Sequence, residues 1–161
     1  MKPGLPTFVE VAQGVLEGGY GVHLHTRGDS MTPLIRGGSV IQVEQVEAGG
    51  LKLGDVLVYR DGGRLVAHRL IAKRQGPDSL LLITRGDAAP WRHRQEVAPG
   101  QVLGRVCAVK WRRGLSLRID SGWGRVLSLI LGVSWPLPQG IFFVLVKVKT
   151  GLDRLSRSVP A

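Results

Sequence analysis

Three polar residues in this sequence could together perform acyl-transfer chemistry, and Ser30 is the candidate nucleophile. It stands in the segment RGDSMTP at 27–33. A glycine-led turn before the serine and a proline after it would hold one hydroxyl exposed in a fixed rotamer. The Ser30 backbone amide would then point at an incoming carbonyl group. An ordinary turn capped by Asp29 is the alternative interpretation of the same residues.

His68 and Asp87 could complete a Ser-His-Asp site. His68 lies inside the apolar, alternating stretch VAHRLI at 66–71, and a neutral imidazole close to a serine hydroxyl can accept its proton. Asp87 follows the next apolar stretch, in RGDAAP at 85–90, and could accept from the second imidazole nitrogen and fix its tautomer. A buried core histidine and a turn-forming aspartate are the alternatives. The chain order Ser, His, Asp makes the three residues together more indicative of catalysis than each one alone.

Six short segments between Tyr20 and Lys110 predict the strands that must position these residues. They are β-branched-rich or alternating, and turn residues separate them: 22–25, 40–46, 56–59, 64–71, 79–83 and 101–106. Short strands at this spacing predict a mainly β fold, built as a compact barrel or sandwich. In front of them, Thr7 and Glu10 form a capping-box pattern for a helix at about 8–16, which Gly18 ends. Its expected apolar face consists of Phe8, Val9, Val11, Ala12, Val15 and Leu16.

The composition limits the classes of site and partner. The 161 residues include 22 Lys plus Arg against 12 Asp plus Glu, for a net charge of +10. Because the arginines are dispersed rather than gathered on one stripe with aromatic residues, a nucleic-acid partner is not expected, whereas solubility or contact with an anionic membrane surface remains open. Cys107 is the single cysteine, so neither a disulfide framework nor a thiolate zinc site is expected, and we expect Cys107 in the core. No metal or cofactor is predicted.

The composition changes in the C-terminal part, residues 111–161, which is basic and apolar. The apolar run at 126–148 is interrupted by Pro136, Pro138 and Gly140, so each half is shorter than the roughly 20 residues of a straight membrane span. Three interpretations remain open: a proline-broken span, a re-entrant or interfacial hairpin, and a soluble element that caps the core. We therefore divide the chain into a β domain at 1–110 and a C-terminal extension that could associate with a membrane.

The motifs, taken in order, resemble those of the signal peptidase I superfamily. They are GDSMTP at 28–33, LGDVLV at 53–58, VAHRLI at 66–71, RGD at 85–87 and LGRV at 103–106. Their order and relative spacing match over roughly Leu16 to Lys110. The bacterial signal peptidases carry a lysine at the place of His68, whereas the archaeal, endoplasmic-reticulum and sporulation-type enzymes carry a histidine. The chain therefore resembles the Ser/His branch.

The resemblance implies a serine endopeptidase on a signal-peptidase-like β-barrel or sandwich. It implies that Ser30 is the nucleophile, His68 the general base and Asp87 the orienting acid. It also implies that Met31 and Pro33 bind substrate, with Met31 lining the pocket for a small side chain just before the scissile bond. The implied substrate is a signal, leader or precursor peptide.

The sequence departs from the family pattern at four points. His93 stands where many Ser/His members have a further acidic residue, Gly28 lacks the hydroxyl that some Ser/Lys relatives use as an oxyanion donor, and the usual Gly-Asp after the proline is Gly38-Ser39. The N-terminal membrane span of the family is not seen either. We therefore expect a membrane-associated protein whose β domain faces the cytoplasm and whose substrate is presented on that side.

Two other classes of function compete with the peptidase. One is a non-catalytic member of the same fold that binds an extended peptide at an open sheet edge. The other is a basic protein that binds an anionic surface or nucleic acid through its arginines, with an affinity that falls steeply with salt.

Overall fold

The sheet and helices are seen in a computed structural model that describes residues 7–76 and 79–133. The described part holds two α-helices and eight strands in one antiparallel sheet, so the predicted mainly β class is confirmed. The elements are α1 (Phe8–Glu17), β1 (Val22–His25), β2 (Val40–Glu44), β3 (Val56–Asp61), β4 (Arg64–Gln75), β5 (Leu80–Arg85), β6 (Gln95–Val97), β7 (Val102–Lys110), β8 (Ser116–Arg118) and α2 (Gly122–Val133).

Helix α1 begins as the sequence predicts. The Thr7 hydroxyl accepts from the Glu10 amide at 3.4 Å, and the Glu10 carboxylate accepts from the Thr7 amide at 2.7 Å, which completes the capping box. The expected apolar face is divided: Val9, Ala12 and Leu16 are buried, whereas Phe8, Val11 and Val15 are exposed. Only part of the apolar surface of α1 therefore packs on the sheet.

The strands follow the order β1-β2-β7-β3-β4-β5-β6, and β8 pairs with β7 beside this path. The six predicted strands are all present, and the structure adds two three-residue strands, β6 and β8, that the sequence analysis does not predict. Within the described residues β1 and β6 are the outer strands, so the sheet is not closed and the expected barrel or sandwich is not established. What is established is a single antiparallel sheet.

Strand β3 is buried on both faces and separates two apolar clusters. Val56 and Val58 belong to the larger cluster, which includes residues of α1, β1, β2 and β7, whereas Leu57 and Tyr59 belong to the smaller one. Successive side chains of a strand point to opposite faces, so one continuous apolar run serves both clusters. Cys107 is buried in β7 as predicted, and burial raises the pKa of its thiol to about 12.

The first part of the C-terminal extension packs on the β domain. The Trp111 indole donates to the Leu34 carbonyl at 2.8 Å, and Ile119 belongs to the larger apolar cluster. The Arg125 guanidinium, on α2, donates to the Asp55 carboxylate at 2.6 Å. Residues 134–148 of the apolar run lie outside the described residues. None of the helices in the described ranges has both the length and the apolar character needed to cross a bilayer.

Gly104 is required where β7 passes closest to β2. A Cβ at this position would lie 2.4 Å from the Glu44 carbonyl oxygen and 2.9 Å from a Val43 methyl group. We expect Gly104→Ala to lower the free energy of unfolding by about 1–3 kcal/mol, since the added carbon must displace backbone. Gly100→Ala is the control, because a Cβ there would meet nothing within 4 Å. Urea unfolding measures both, and equal stabilities would contradict the close approach of β2 and β7.

Candidate active site

The turn that carries Ser30 is held by its neighbours and leaves the serine exposed. Gly28 has φ +82°, a conformation that side-chain-bearing residues rarely adopt. The Asp29 carboxylate accepts from the Gly37 amide at 3.1 Å, and its carbonyl accepts from the Thr32 amide at 3.0 Å. Met31 is only 3 % exposed and anchors the turn in the larger apolar cluster. Asp29 therefore closes the turn, and the same turn presents Ser30.

Gly86 is the point at which Ser30 and His68 meet. A Cβ on Gly86 would lie 3.2 Å from the Ser30 Cβ and 3.2 Å from His68 Nε2. The two groups are thus no more than twice that distance apart. The same Cβ would lie 2.6 Å from the Ser30 carbonyl oxygen, which leaves room for glycine only. Beside it, the Ala88 amide donates to that oxygen at 2.9 Å and ties the serine turn to the end of β5.

A cleft of about 1020 Å³ opens beside these two residues. Ser30, Met31 and His68 line it, together with residues of the segments 23–26 and 64–67. Pro33, which was expected to bind substrate, is not among the lining residues.

The His68 ring is half-buried, and its Nδ1 atom faces two oxygens. Tyr59 Oη and Gln95 Oε1 each lie 3.0 Å from Nδ1, and the Tyr59 hydroxyl donates to Gln95 Oε1 at 2.5 Å. Burial lowers the pKa of His68 below its ordinary value of 6.5, against the opposing effects of the Gln95 hydrogen bond and of the Asp87 and Asp61 charges. The imidazole is therefore neutral at pH 7.

Asp87 is directed to Arg69 rather than to His68, so the predicted contact between Asp87 and His68 is wrong. Arg69 Nε donates to Asp87 Oδ1 at 2.8 Å and Nη2 donates to Oδ2 at 2.6 Å. His68 and Arg69 are neighbours on β4 and point to opposite faces, and Asp87 lies on the Arg69 side. Its charge reaches His68 only through space. Arg69, the neighbour of His68 in the chain, therefore binds the Asp87 carboxylate, which the sequence analysis assigned to the His68 imidazole.

Gln95 and Gly86 are the site residues that sequence reasoning missed. Gln95 lies on β6, a strand too short and polar for its pattern to be recognised. His93, which the sequence singled out two positions earlier, is exposed and does not line the cleft. The turn RGD at 85–87 drew attention to its aspartate, whereas the glycine before it makes the closest approach to Ser30 and His68.

The ion pair of Asp87 is fully enclosed, and this predicts a structural effect of its loss. Asp87 is 0 % and Arg69 3 % exposed, and removal of one partner leaves a buried charge uncompensated. We expect Asp87→Ala to lower the free energy of unfolding by about 3–5 kcal/mol or to prevent folding. Glu96→Ala, which breaks an exposed pair with Arg74, should cost about 1 kcal/mol or less. Similar urea midpoints for the two variants would contradict this role of Asp87.

The geometry of the site comes from this chain alone. No protein-family model, curated protein or solved structure matches the chain. Ser30 and His68, which are distant in sequence, both lie against Gly86. Both line the cleft, and two oxygens lie at the Nδ1 atom of His68.

Proposed function

We propose that this protein is a serine endopeptidase that cleaves a signal, leader or precursor peptide after a small residue. The observation that carries the proposal is the approach of both Ser30 and His68 Nε2 to Gly86 at the edge of the cleft. The motif order of the signal peptidase I superfamily supports the same assignment. The burial of β3 on both faces supports the compact barrel-like arrangement that this resemblance implies.

The reaction would begin with proton transfer from Ser30 to His68. The Ser30 oxygen attacks the scissile carbonyl carbon while His68 Nε2 takes the hydroxyl proton. The imidazolium then gives that proton to the leaving amine, and water, deprotonated by the same imidazole, hydrolyses the acyl-enzyme. Among the described residues no backbone hydrogen bond occupies the Ser30 amide, which leaves it available to donate to the oxyanion.

Two free strand edges support binding of the substrate in an extended conformation. Within the described residues, β1 pairs only with β2, and the 64–68 portion of β4 pairs only with β3, because β5 joins β4 from Arg69 onward. Residues of both edges line the cleft. A peptide between them could hydrogen-bond to either strand, as in β-strand addition. Met31 lies at the serine end of the cleft, where it would limit the size of the substrate side chain.

Loss of either reactive side chain should abolish cleavage. We expect Ser30→Ala and His68→Ala each to lower turnover on the order of 10³-fold or more, and the double variant to be no worse than either single one, because the two residues act as a unit. Mass spectrometry of precursor peptides incubated with each variant measures this. Ser116→Ala on β8, outside the cleft lining, is the control.

The same experiment separates the competing functions. Unchanged cleavage by Ser30→Ala would refute the peptidase mechanism. Peptide binding without cleavage by the unaltered protein would favour the non-catalytic alternative. Binding to a polyanion that survives Ser30→Ala and falls steeply with salt would favour the basic-surface alternative.

An exposed apolar stripe on α2 supports the proposed association with an anionic membrane surface. Its members recur at helical spacing and are 45–89 % exposed: Trp123, Val126, Leu127 and Ile130. The buried side of the same helix faces Arg69 through Ser128. The stripe also begins the apolar run at 126–148, and basic residues lie beside it in the sequence.

Polar substitution of this stripe should weaken membrane binding. We expect the double variant Trp123→Ser/Ile130→Ser to reduce binding to phosphatidylserine-containing vesicles on the order of tenfold or more, since each large apolar side chain contributes about 1.5–3 kcal/mol when buried. Co-sedimentation measures the bound fraction. Leu115→Ser is the matched control, since Leu115 is 67 % exposed and lies off the stripe. Equal binding of the variant and the control would contradict this surface.

A further inference from the structure

We propose that Gln95, together with Tyr59, is the positioning residue that holds His68 in the tautomer protonated at Nδ1. The inference rests on the proposed function, because it concerns the base of that reaction. The neutral amide of Gln95 would thus orient His68, the role that the sequence analysis assigned to the Asp87 carboxylate. The donors and acceptors around His68 Nδ1 determine which tautomer is favoured.

Both neighbours of His68 Nδ1 present lone pairs to it. Gln95 Oε1 is a carbonyl oxygen and can only accept. The Tyr59 hydroxyl has one proton, which it donates to Gln95 Oε1 at 2.5 Å, so towards Nδ1 it also offers a lone pair. At 3.0 Å from each of these oxygens, a bare Nδ1 would face two acceptors without a proton between them. The arrangement is favourable only if Nδ1 carries the hydrogen.

The position of this proton decides what His68 can do at its other nitrogen. A neutral imidazole has one N–H group, so a proton on Nδ1 leaves the lone pair on Nε2. Nε2 is the atom that lies beside Gly86, the residue that also lies against Ser30. The hydrogen bonds of Gln95 and Tyr59 thus prepare the imidazole to accept the serine proton.

Tyr59 is fixed for this task by its own surroundings. Its side chain is 2 % exposed, and its hydroxyl oxygen accepts from the Thr84 hydroxyl at 3.3 Å. Burial raises the pKa of Tyr59 above its ordinary value of 10, so the phenol keeps its proton across the range in which His68 titrates. The donor to Gln95 is therefore present at every pH that matters for the base.

Because the Gln95 side chain is neutral, it affects the protonation of His68 differently from a carboxylate. The charged groups that act on His68 are Asp61 on β3 and, from the opposite face of β4, Asp87 after β5, whose charge is balanced by Arg69. The Gln95 amide adds a hydrogen bond but no negative charge to stabilise an imidazolium ion. Because burial lowers the pKa of His68, the neutral base persists to a lower pH than it would in an exposed histidine. Cleavage should decline as pH falls through this lowered pKa.

Nitrogen-15 NMR of the His68 side chain tests the tautomer without requiring any activity. In the unaltered protein we expect a protonated Nδ1, an unprotonated Nε2 and a titration midpoint below pH 6.5. Gln95→Ala should allow a mixture of tautomers and lower kcat on the order of 10- to 100-fold, with a smaller change in KM, because the base loses its orientation. Gln75→Ala, at the exposed end of β4, is the matched control and should change neither measurement.

Gln95→Glu gives a second, opposite readout. The carboxylate would preserve the acceptor and add a negative charge beside Nδ1, so the His68 midpoint should rise and the acid limb of the pH–rate profile should move upward with it. Unchanged midpoints in this variant would show that the side chain of residue 95 does not lie against Nδ1. Tyr59→Phe should shift the tautomer ratio in the same direction as Gln95→Ala.

The possible outcomes separate this inference from the proposed function. A protonated Nε2 in the unaltered protein, which would follow if Tyr59 donated to Nδ1 instead, would overturn the inference even if cleavage depends on Ser30. Unchanged tautomer and midpoint in both Gln95 variants would also overturn it. A protonated Nδ1 that responds to Gln95, in a protein that cleaves no peptide, would support the positioning role and refute the peptidase.

Discussion

The buried ion pair between Arg69 and Asp87 is the interaction on which the geometry of the site depends. Two charges removed from water must satisfy each other, and here both carboxylate oxygens accept from one guanidinium. His68 immediately precedes Arg69, and Gly86 immediately precedes Asp87. Because the ion pair holds Arg69 and Asp87 in place, the preceding residues His68 and Gly86 are held in place as well. The His68 imidazole and Gly86, which leaves space for Ser30, thus keep their relative positions because each is next to a member of the ion pair.

The same pair connects the site to distant parts of the chain. Arg69 also donates to the Gly54 carbonyl at 2.8 Å and to the Ser128 hydroxyl at 3.1 Å. One side chain thus bonds to the turn before β3, the segment after β5 and helix α2. These bonds form on the face of β4 that is opposite to the His68 side chain. Alternation along a single strand separates the group that reacts from the group that supports it.

The outcome for individual residues shows which features sequence patterns can predict. The capping box of Thr7 and Glu10, the exposed Ser30 turn and the strand around His68 depend on neighbours within a few positions, and each could be predicted. The partner of Asp87 could not, since it depends on which face of β4 the end of β5 approaches. Gln95 reaches His68 from a three-residue polar strand that has no hydrophobic pattern of its own. Long-range pairing, rather than local propensity, brings the second half of the site together.

The free edges of β1 and β4 also bear on how the protein avoids association with itself. An unpaired strand edge presents backbone donors and acceptors that can join another sheet, and soluble proteins protect such edges with charge. Arg64 begins β4 at this edge, and the chain carries a net charge of +10. Two copies that approach edge to edge would bring these positive charges together. Positive charge of this kind opposes the pairing of two copies through their free edges.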